Sequence, residues 1–254
     1  IDGLSAVHNR YRISSNGNPT FDKVVNALEL LKTYQVDFNT LTVVNDQNWH
    51  KGKETYLALK TLGSRFMQFI PVVERKNRAT AETTYFSVPG DSFGRFLVDV
   101  FQEWKKEDVG QIFVLEFDNL LGQWLGYPSS SCVHQPVCGK SLVVEANGDV
   151  YSCDHYVYPE YKIGNLNKQS LKEIVLSSQQ QQFGMEKLTQ LTSICQQCDV
   201  RHFCQGGCPK HRFVSLPNET AKHNYLCASY RYFFHQTAAD MQQMRRQIRA
   251  GNFA

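Results

Sequence analysis

The chain has 254 residues, of which 42% are apolar and 20% are charged, so we expect a packed globular core. Its net charge of +3 is too small to indicate nucleic-acid binding, and we expect none. No apolar run reaches the roughly 18 residues of a spanning helix, and no signal-peptide pattern opens the chain, so we expect a soluble, cytoplasmic protein without membrane contact. The chain begins at Ile1, and we interpret it as a fragment that lacks an N-terminal part.

Helices and strands are predicted to alternate in the first half of the chain. Apolar residues at helical spacing predict helices at 20–35, 48–62, 93–104 and 116–126, and runs rich in β-branched and aromatic residues predict strands at 36–44, 66–73 and 112–115. Strands that alternate with helices at this spacing indicate βα units and a parallel sheet, and therefore an α/β fold.

The composition changes near Tyr127, which is followed by a linker-like Pro-Ser-Ser-Ser stretch. We therefore predict two domains, 1–127 and 128–254. From Tyr225 onward, apolar and aromatic residues share one helical face and predict a single long helix, which we assign to the second domain as its closing element.

The second domain is predicted to contain a β-hairpin and short helices. Asn147 and Gly148 separate apolar runs at 142–145 and 149–152, and both residue types tolerate a positive φ. Short helices are predicted within 168–192.

Eight cysteines are the most distinctive feature, and none lies in the first 131 residues. They are Cys132, Cys138, Cys153, Cys195, Cys198, Cys204, Cys208 and Cys227. Disulfides need an oxidising compartment, and no secretory signal supports one. Zinc sites usually combine two C-x2-C pairs, and only Cys195 and Cys198 form such a pair. Iron–sulfur clusters tolerate irregular gaps, and two clusters need eight thiolates, so the pattern favours iron–sulfur chemistry while zinc and disulfides stay open.

The cysteine spacing resembles the SPASM pattern of radical SAM enzymes. The matching stretches are C-x9-G-x4-C from Cys138 to Cys153, C-x2-C-x5-C-x3-C from Cys195 to Cys208, then Cys227, with Cys132 six positions before Cys138. A second resemblance, to anaerobic sulfatase-maturating enzymes, lies at the start of the chain. Ile1-Asp2-Gly3, His8, Tyr11 and Arg12 are similar to their S-x-D-G…H…Y-R segment, and residues 69–74 are similar to a later barrel strand.

The resemblance implies a fold and a set of cofactors. Residues 1–127 would form part of a (β/α)6 radical SAM partial barrel, and residues 128–254 an α+β SPASM domain. Two auxiliary 4Fe–4S clusters are implied, one held by Cys132, Cys138, Cys153 and Cys208, the other by Cys195, Cys198, Cys204 and Cys227. The complete enzyme would also hold SAM and a third 4Fe–4S cluster. Because no C-x3-C-x2-C occurs here, we expect this chain alone to be inactive.

Three further site residues are implied by the resemblance. Asp154 matches the family's proton acceptor, Arg12 a residue that contacts SAM, and Val73 a residue that lines the adenosine site. From the residues themselves, an Asp in the place of Asp154 is most often a turn or cap residue, and Val73 is foremost a core strand residue. The alternative for Arg12 is a surface ion pair. A base that works near pH 7 needs a raised carboxylate pKa, which burial beside a cluster would supply.

The implied activity is the anaerobic oxidation of an active-site Cys or Ser of a sulfatase polypeptide to Cα-formylglycine. A 5′-deoxyadenosyl radical would take a hydrogen atom from Cβ, Asp154 would remove a proton, and an electron would leave towards the auxiliary clusters. The implied partners are the sulfatase and a reducing donor such as flavodoxin or ferredoxin, with a monomeric enzyme. The alternatives are another SPASM peptide maturase, such as a thioether-forming one, and a non-enzymatic peptide-binding module that carries a metal or cluster.

Overall fold

The computed structural model describes residues 1–251, which form two compact units. Unit one contains Ile1–Tyr127 together with the C-terminal segment from Ala228, and unit two contains Pro128–Cys227. The C-terminal helix, which the sequence analysis assigned to the second domain, therefore belongs to unit one.

The helices and strands are defined here in chain order. They are α1 (Ser5–Tyr11), α2 (Phe21–Thr33), β1 (Thr40–Val44), α3 (Gly52–Thr61), β2 (Phe66–Pro71), α4 (Phe93–Glu107), β3 (Phe113–Val114), α5 (Leu115–Leu125), β4 (Val143–Val144), β5 (Asp149–Tyr151), β6 (Lys162–Asn165), α6 (Leu171–Val175), α7 (Ser178–Thr189), α8 (Ser193–Gln196), α9 (Arg201–Cys204), β7 (Arg212–Val214), β8 (His223–Asn224) and α10 (Cys227–Arg249). Within residues 1–251, no helix is both long and apolar enough to cross a membrane.

Unit one contains the predicted parallel sheet, in the order β1-β2-β3. β1 begins later than the predicted strand because the preceding residues close α2 instead. The N–H of Val36 donates to the carbonyl of Leu31, and Gln35 has a φ of 53°, in the left-handed region. The short helix α1 was not predicted from the sequence.

Aromatic side chains from three helices form the core of unit one. Phe101 on α4 packs edge-on against Phe117 on α5, and Phe117 stacks with Phe233 on α10 at a centroid distance of 5.9 Å. The indole N–H of Trp104 donates to the carbonyl of Ile112 at 2.7 Å, so its one polar group is satisfied. Each buried side chain of this kind stabilises the fold by about 1.5–3 kcal/mol, which explains why α10 belongs to this unit.

α10 approaches α4 so closely that only glycine fits at position 94. A Cβ on Gly94 would lie 2.1 Å from the carbonyl oxygen of Ser229. The Ser229 hydroxyl donates to the carbonyl of Gly90 at 2.9 Å. The start of α10 is thus tied to the start of α4 by packing and by a hydrogen bond.

Unit two contains the predicted hairpin, β4 and β5, extended by antiparallel β6. Its small core is formed by Val150, Ile163 and Ile174. In the turn, Gly148 has a φ of +83°, whereas Asn147 is not left-handed. The Asn147 side chain instead accepts a hydrogen bond from the N–H of Asp149, so the hairpin is confirmed but only its glycine uses a positive φ.

Candidate functional site

All eight cysteines are free thiols in unit two, and electrostatic interactions sort them into two sets. The first cysteine group contains Cys132, Cys138, Cys153 and Cys208, and the second cysteine group contains Cys195, Cys198, Cys204 and Cys227. In the first group, Cys208 interacts with each of the other three members, and in the second group Cys204 does so. Neighbours in sequence therefore belong to different groups.

A left-handed loop separates Cys204 from Cys208. Gln205, Gly206 and Gly207 have φ values of 51°, 73° and 62°. A Cβ on Gly206 would lie 2.5 Å from a methyl carbon of Leu191, so this position excludes larger residues by space as well as by backbone conformation. The glycine pair reverses the chain between the two cysteine groups.

The chemistry of the thiols fits iron–sulfur ligation. Burial raises the pKa of Cys204 and of Cys153 to about 12, and that of Cys208 to about 11. Such thiols are protonated at neutral pH, so a metal must displace their protons before they act as thiolate ligands. Among residues 1–251, no set of three or more His, Cys, Asp or Glu side chains converges to hold a single metal ion. Two groups of four thiols match the ligand sets of two 4Fe–4S clusters.

A buried lysine and a partly buried arginine lie beside the cysteine groups. Lys187 on α7 is 1% exposed, and burial lowers its pKa to about 8. Its ammonium donates to the carbonyls of Cys132 and Val133. Arg212 donates to the loop between Cys204 and Cys208, including the carbonyl of Gly206 at 3.1 Å. Neither cation was predicted from the sequence to be part of the site.

Asp154 begins a short turn directly after Cys153, with its side chain exposed. The Cys153 thiol donates to Asp154 Oδ1 at 3.1 Å, and the N–H of His155 donates to the same oxygen at 3.0 Å. Burial by itself raises the pKa of Asp154, but the thiol hydrogen bond and the charge of His155 together lower it below its ordinary value. This lowering depends on the thiol proton, which Cys153 loses when it ligates a cluster, so the raised pKa expected beside a cluster stays a prediction.

Each cysteine group also has a histidine near one sulfur. His155 Nδ1 lies 3.5 Å from Cys208 Sγ in the first group, and His223 Nδ1 lies 3.8 Å from Cys195 Sγ in the second. Neither histidine was assigned a role from the sequence. Both contacts join residues that are far apart in the chain, so spacing could not reveal them.

In unit one, Arg12 forms a bidentate ion pair with Asp2. Arg12 Nε donates to Asp2 Oδ2 at 2.6 Å, and Nη2 donates to Oδ1 at 3.1 Å. Asp2 is 3% exposed and also accepts from the N–H of Val43 on β1 at 3.1 Å. The Arg12 side chain stays 42% exposed, and its Nη1 has no hydrogen-bond partner among the described residues. One side of the guanidinium thus remains open to a ligand.

Two further residues lie beyond the carboxyl ends of strands in unit one, where barrel sites gather. Val73 is 6% exposed and follows β2. Glu116 follows β3; its Oε1 accepts from the N–H of Phe69 at 3.2 Å, and its Oε2 is buried without a partner in residues 1–251. Burial raises the pKa of Glu116 to about 8. No role was predicted for Glu116 from the sequence.

Comparison with known proteins decides the family. The SPASM model, described as an iron-sulfur cluster-binding domain, matches residues 132–199. The serine-type anaerobic sulfatase-maturating enzyme of Bacteroides thetaiotaomicron is 38% identical over 264 residues, covering 98% of this chain and 63% of that protein. The cysteine-type enzyme of Clostridium novyi is 31% identical, covering 95% and 64%. The solved structure of native anSMEcpe with bound AdoMet and Cp18Cys peptide gives a TM-score of 0.85 at 30% identity, covering 98% and 68%.

The chain belongs to the family of anaerobic sulfatase-maturating enzymes. It spans about two thirds of the length of the relatives it matches. This family consists of radical SAM enzymes, so the predicted class is confirmed: an α/β partial barrel followed by a SPASM iron–sulfur domain. Iron–sulfur and SAM chemistry are properties of the family.

Proposed function

We propose that the enzyme to which this chain belongs oxidises an active-site Cys or Ser of a sulfatase polypeptide to Cα-formylglycine. Serine-type and cysteine-type sulfatase-maturating relatives support the reaction class. The observation that carries the proposal is the position of Asp154, whose carboxylate oxygen lies 3.1 Å from the sulfur of Cys153 in the first cysteine group. A proton acceptor that lies next to a cluster ligand suits an oxidation that releases both a proton and an electron.

The cofactor ligands follow from the two cysteine groups. The first group would hold one 4Fe–4S cluster and the second group another, as the electrostatic grouping of the thiols supports. When bound, SAM and the iron–sulfur clusters supply the one-electron chemistry that removes a hydrogen atom from the substrate Cβ and takes up the remaining electron.

Three side chains of this chain would act on the substrate and on SAM. Asp154 accepts the proton of the substrate thiol or hydroxyl. Arg12, fixed on one side by Asp2, offers its open side to the methionine carboxylate of SAM. Val73 provides apolar surface for the adenosine. Loss of a hydrogen atom, a proton and an electron converts Ser directly into the aldehyde; Cys gives a thioaldehyde, which water converts into the aldehyde and hydrogen sulfide.

The partners follow from this chemistry. The substrate is a sulfatase polypeptide, and flavodoxin or ferredoxin supplies reducing electrons. The eight free thiols suit a reducing compartment, so we place the enzyme in the cytoplasm. We further propose that it acts as a monomer.

The test incubates the whole enzyme with SAM and a reductant under anaerobic conditions. Two sulfatase peptides, identical except for Cys or Ser at the modified position, serve as substrates, and product mass with hydrazine trapping of the aldehyde is the measurement. Formylglycine from either peptide supports the proposal, and the ratio of the two gives the substrate residue. A thioether product would point to another peptide maturase, and binding without any product to a non-enzymatic module.

A further inference from the structure

Lys187 and Arg212 link the two cysteine groups through contacts that the proposed reaction does not use. We propose that these two side chains form a cationic bridge that raises the reduction potentials of the iron–sulfur clusters held by the two groups. The inference rests on the proposed assignment of one cluster to each cysteine group. It concerns electron transfer, and assigns both residues a positioning and electrostatic role distinct from that of Asp154.

Lys187 faces the first cysteine group. Its ammonium donates to the carbonyls of Cys132 and Val133, which lie at the start of that group. It interacts electrostatically with the thiols of Cys132, Cys138 and Cys208, all of which belong to the first group. At 1% exposure, water does not screen this charge.

Arg212 holds the loop between the two groups. Five backbone carbonyls accept its hydrogen bonds: those of Gln205, Gly206 and Gly207 in the loop, and those of Lys187 and Gln190 at the end of α7. Its charge reaches Cys208 in the first group and Cys195 and Cys204 in the second. One guanidinium is therefore shared between both groups, and one of its carbonyl partners is that of Lys187.

The charges of both residues lack a carboxylate partner. Among the described residues, no Asp or Glu forms an ion pair with Lys187 or Arg212, whereas buried cations are normally paired. Both residues interact instead with thiols of the cysteine groups. The thiols become negatively charged only when they lose their protons and act as ligands. In that state the two cations compensate their charge.

The electrostatic consequence has a definite sign. Reduction adds a negative charge to a cluster, and a nearby buried cation stabilises the reduced form more than the oxidised form. Removing the cation must therefore lower the potential. Because Lys187 interacts with the first group alone and Arg212 with both, the two residues differ in which potentials they control.

The test is an anaerobic redox titration of the reconstituted chain, followed by electron paramagnetic resonance. Cys138→Ala and Cys195→Ala variants, each of which loses one cluster, assign the two signals. Lys187→Met and Lys187→Gln should each shift the first cluster's reduction equilibrium about tenfold towards the oxidised form, or 59 mV for one electron, and leave the second unchanged. Arg212→Met should lower the reduction potentials of both clusters. Arg212→Lys keeps the charge and should lower each potential by less.

Lys172→Met is the matched control, because Lys172 is an exposed lysine on α6 in the same unit. It should move neither potential. If both clusters are present and their reduction potentials are the same in the Lys187 variants as in the wild type, this inference is overturned. The proposed cofactor assignment then still stands. Iron and sulfide for fewer than two clusters overturn the proposed cofactor assignment, and this inference with it. If Lys187→Met changed the reduction potentials of both clusters, the proposed bridge would be contradicted. Such a result would indicate a general loss of packing.

Discussion

The guanidinium of Arg12 and the carboxylate of Asp2 face each other across two hydrogen bonds, of 2.6 and 3.1 Å. Asp2 in turn accepts the N–H of Val43 on β1, so the sheet fixes the position of the guanidinium. A guanidinium group that is held in place on one side is pre-organised to bind a carboxylate on its other side.

Asp2→Asn should weaken SAM binding to the whole enzyme about tenfold, because the loss of a charged hydrogen bond costs about 1.5–3 kcal/mol. The measurement is the dissociation constant of SAM under anaerobic conditions. Asp37→Asn, at an exposed carboxylate of the same unit, is the control and should bind SAM normally. Unchanged SAM affinity in a folded Asp2→Asn variant would show that Arg12 needs no such support.

Asp154→Asn keeps the shape of the side chain but removes the basic oxygen. In the whole enzyme, formylglycine formation should fall by roughly 100-fold or more, the usual effect of losing a general base. SAM binding should persist, and 5′-deoxyadenosine should still form. Asp199→Asn is a close control, because Asp199 follows Cys198 and its Oδ1 lies 3.7 Å from that thiol in the second group. Equal losses in both variants would mean that Asp154 has only a structural role.

Cys208→Ala and Cys227→Ala test the assignment of ligands. Cys208 should matter to the cluster of the first group and Cys227 to that of the second, although Cys208 is close in sequence to Cys204. After anaerobic reconstitution, each variant should lack up to the iron of one cluster. The spectroscopic signal that is lost should differ between the two variants. Loss of the same signal in both variants would contradict the interleaved ligand sets.

Glu116→Gln should change how stability depends on pH. The folded-state pKa of Glu116, about 8, lies above its unfolded value, so the folded state holds this proton more tightly. As the pH rises from 6.5 towards 8, the wild type should lose about 1.4 kcal/mol per pH unit relative to the variant. Thermal unfolding of both proteins over this range measures the difference. A constant difference between them would show that Glu116 is ionised in the folded state.

Gly94→Ala should destabilise unit one by about 1–3 kcal/mol, because a new methyl group would collide with the carbonyl of Ser229. Gly122→Ala, on α5, meets nothing within 4 Å and has no positive φ, so it should be neutral or stabilising by about 0.4–1 kcal/mol. Melting temperatures of the two variants are compared directly. Similar melting temperatures would mean that α10 moves away from α4 at little cost.

The sequence by itself determined the features that depend on local pattern. The apolar stripe of α4 predicts its own helix, since residues three and four apart share a face. Gly148 predicts the hairpin, since its backbone adopts a positive φ without strain. The spacing of the cysteines carried the family resemblance, because those gaps are read directly along the chain.

The tertiary structure alone decided what depends on contacts between distant residues. Lys187 and Arg212 are 25 positions apart, and nothing in their local sequence indicates that a carbonyl of one binds the guanidinium of the other. The lowered pKa of Asp154 likewise depends on a thiol whose orientation the spacing does not encode. Burial and long-range electrostatics arise only when the chain has folded, and for that reason these charges could not be assigned a role from the sequence.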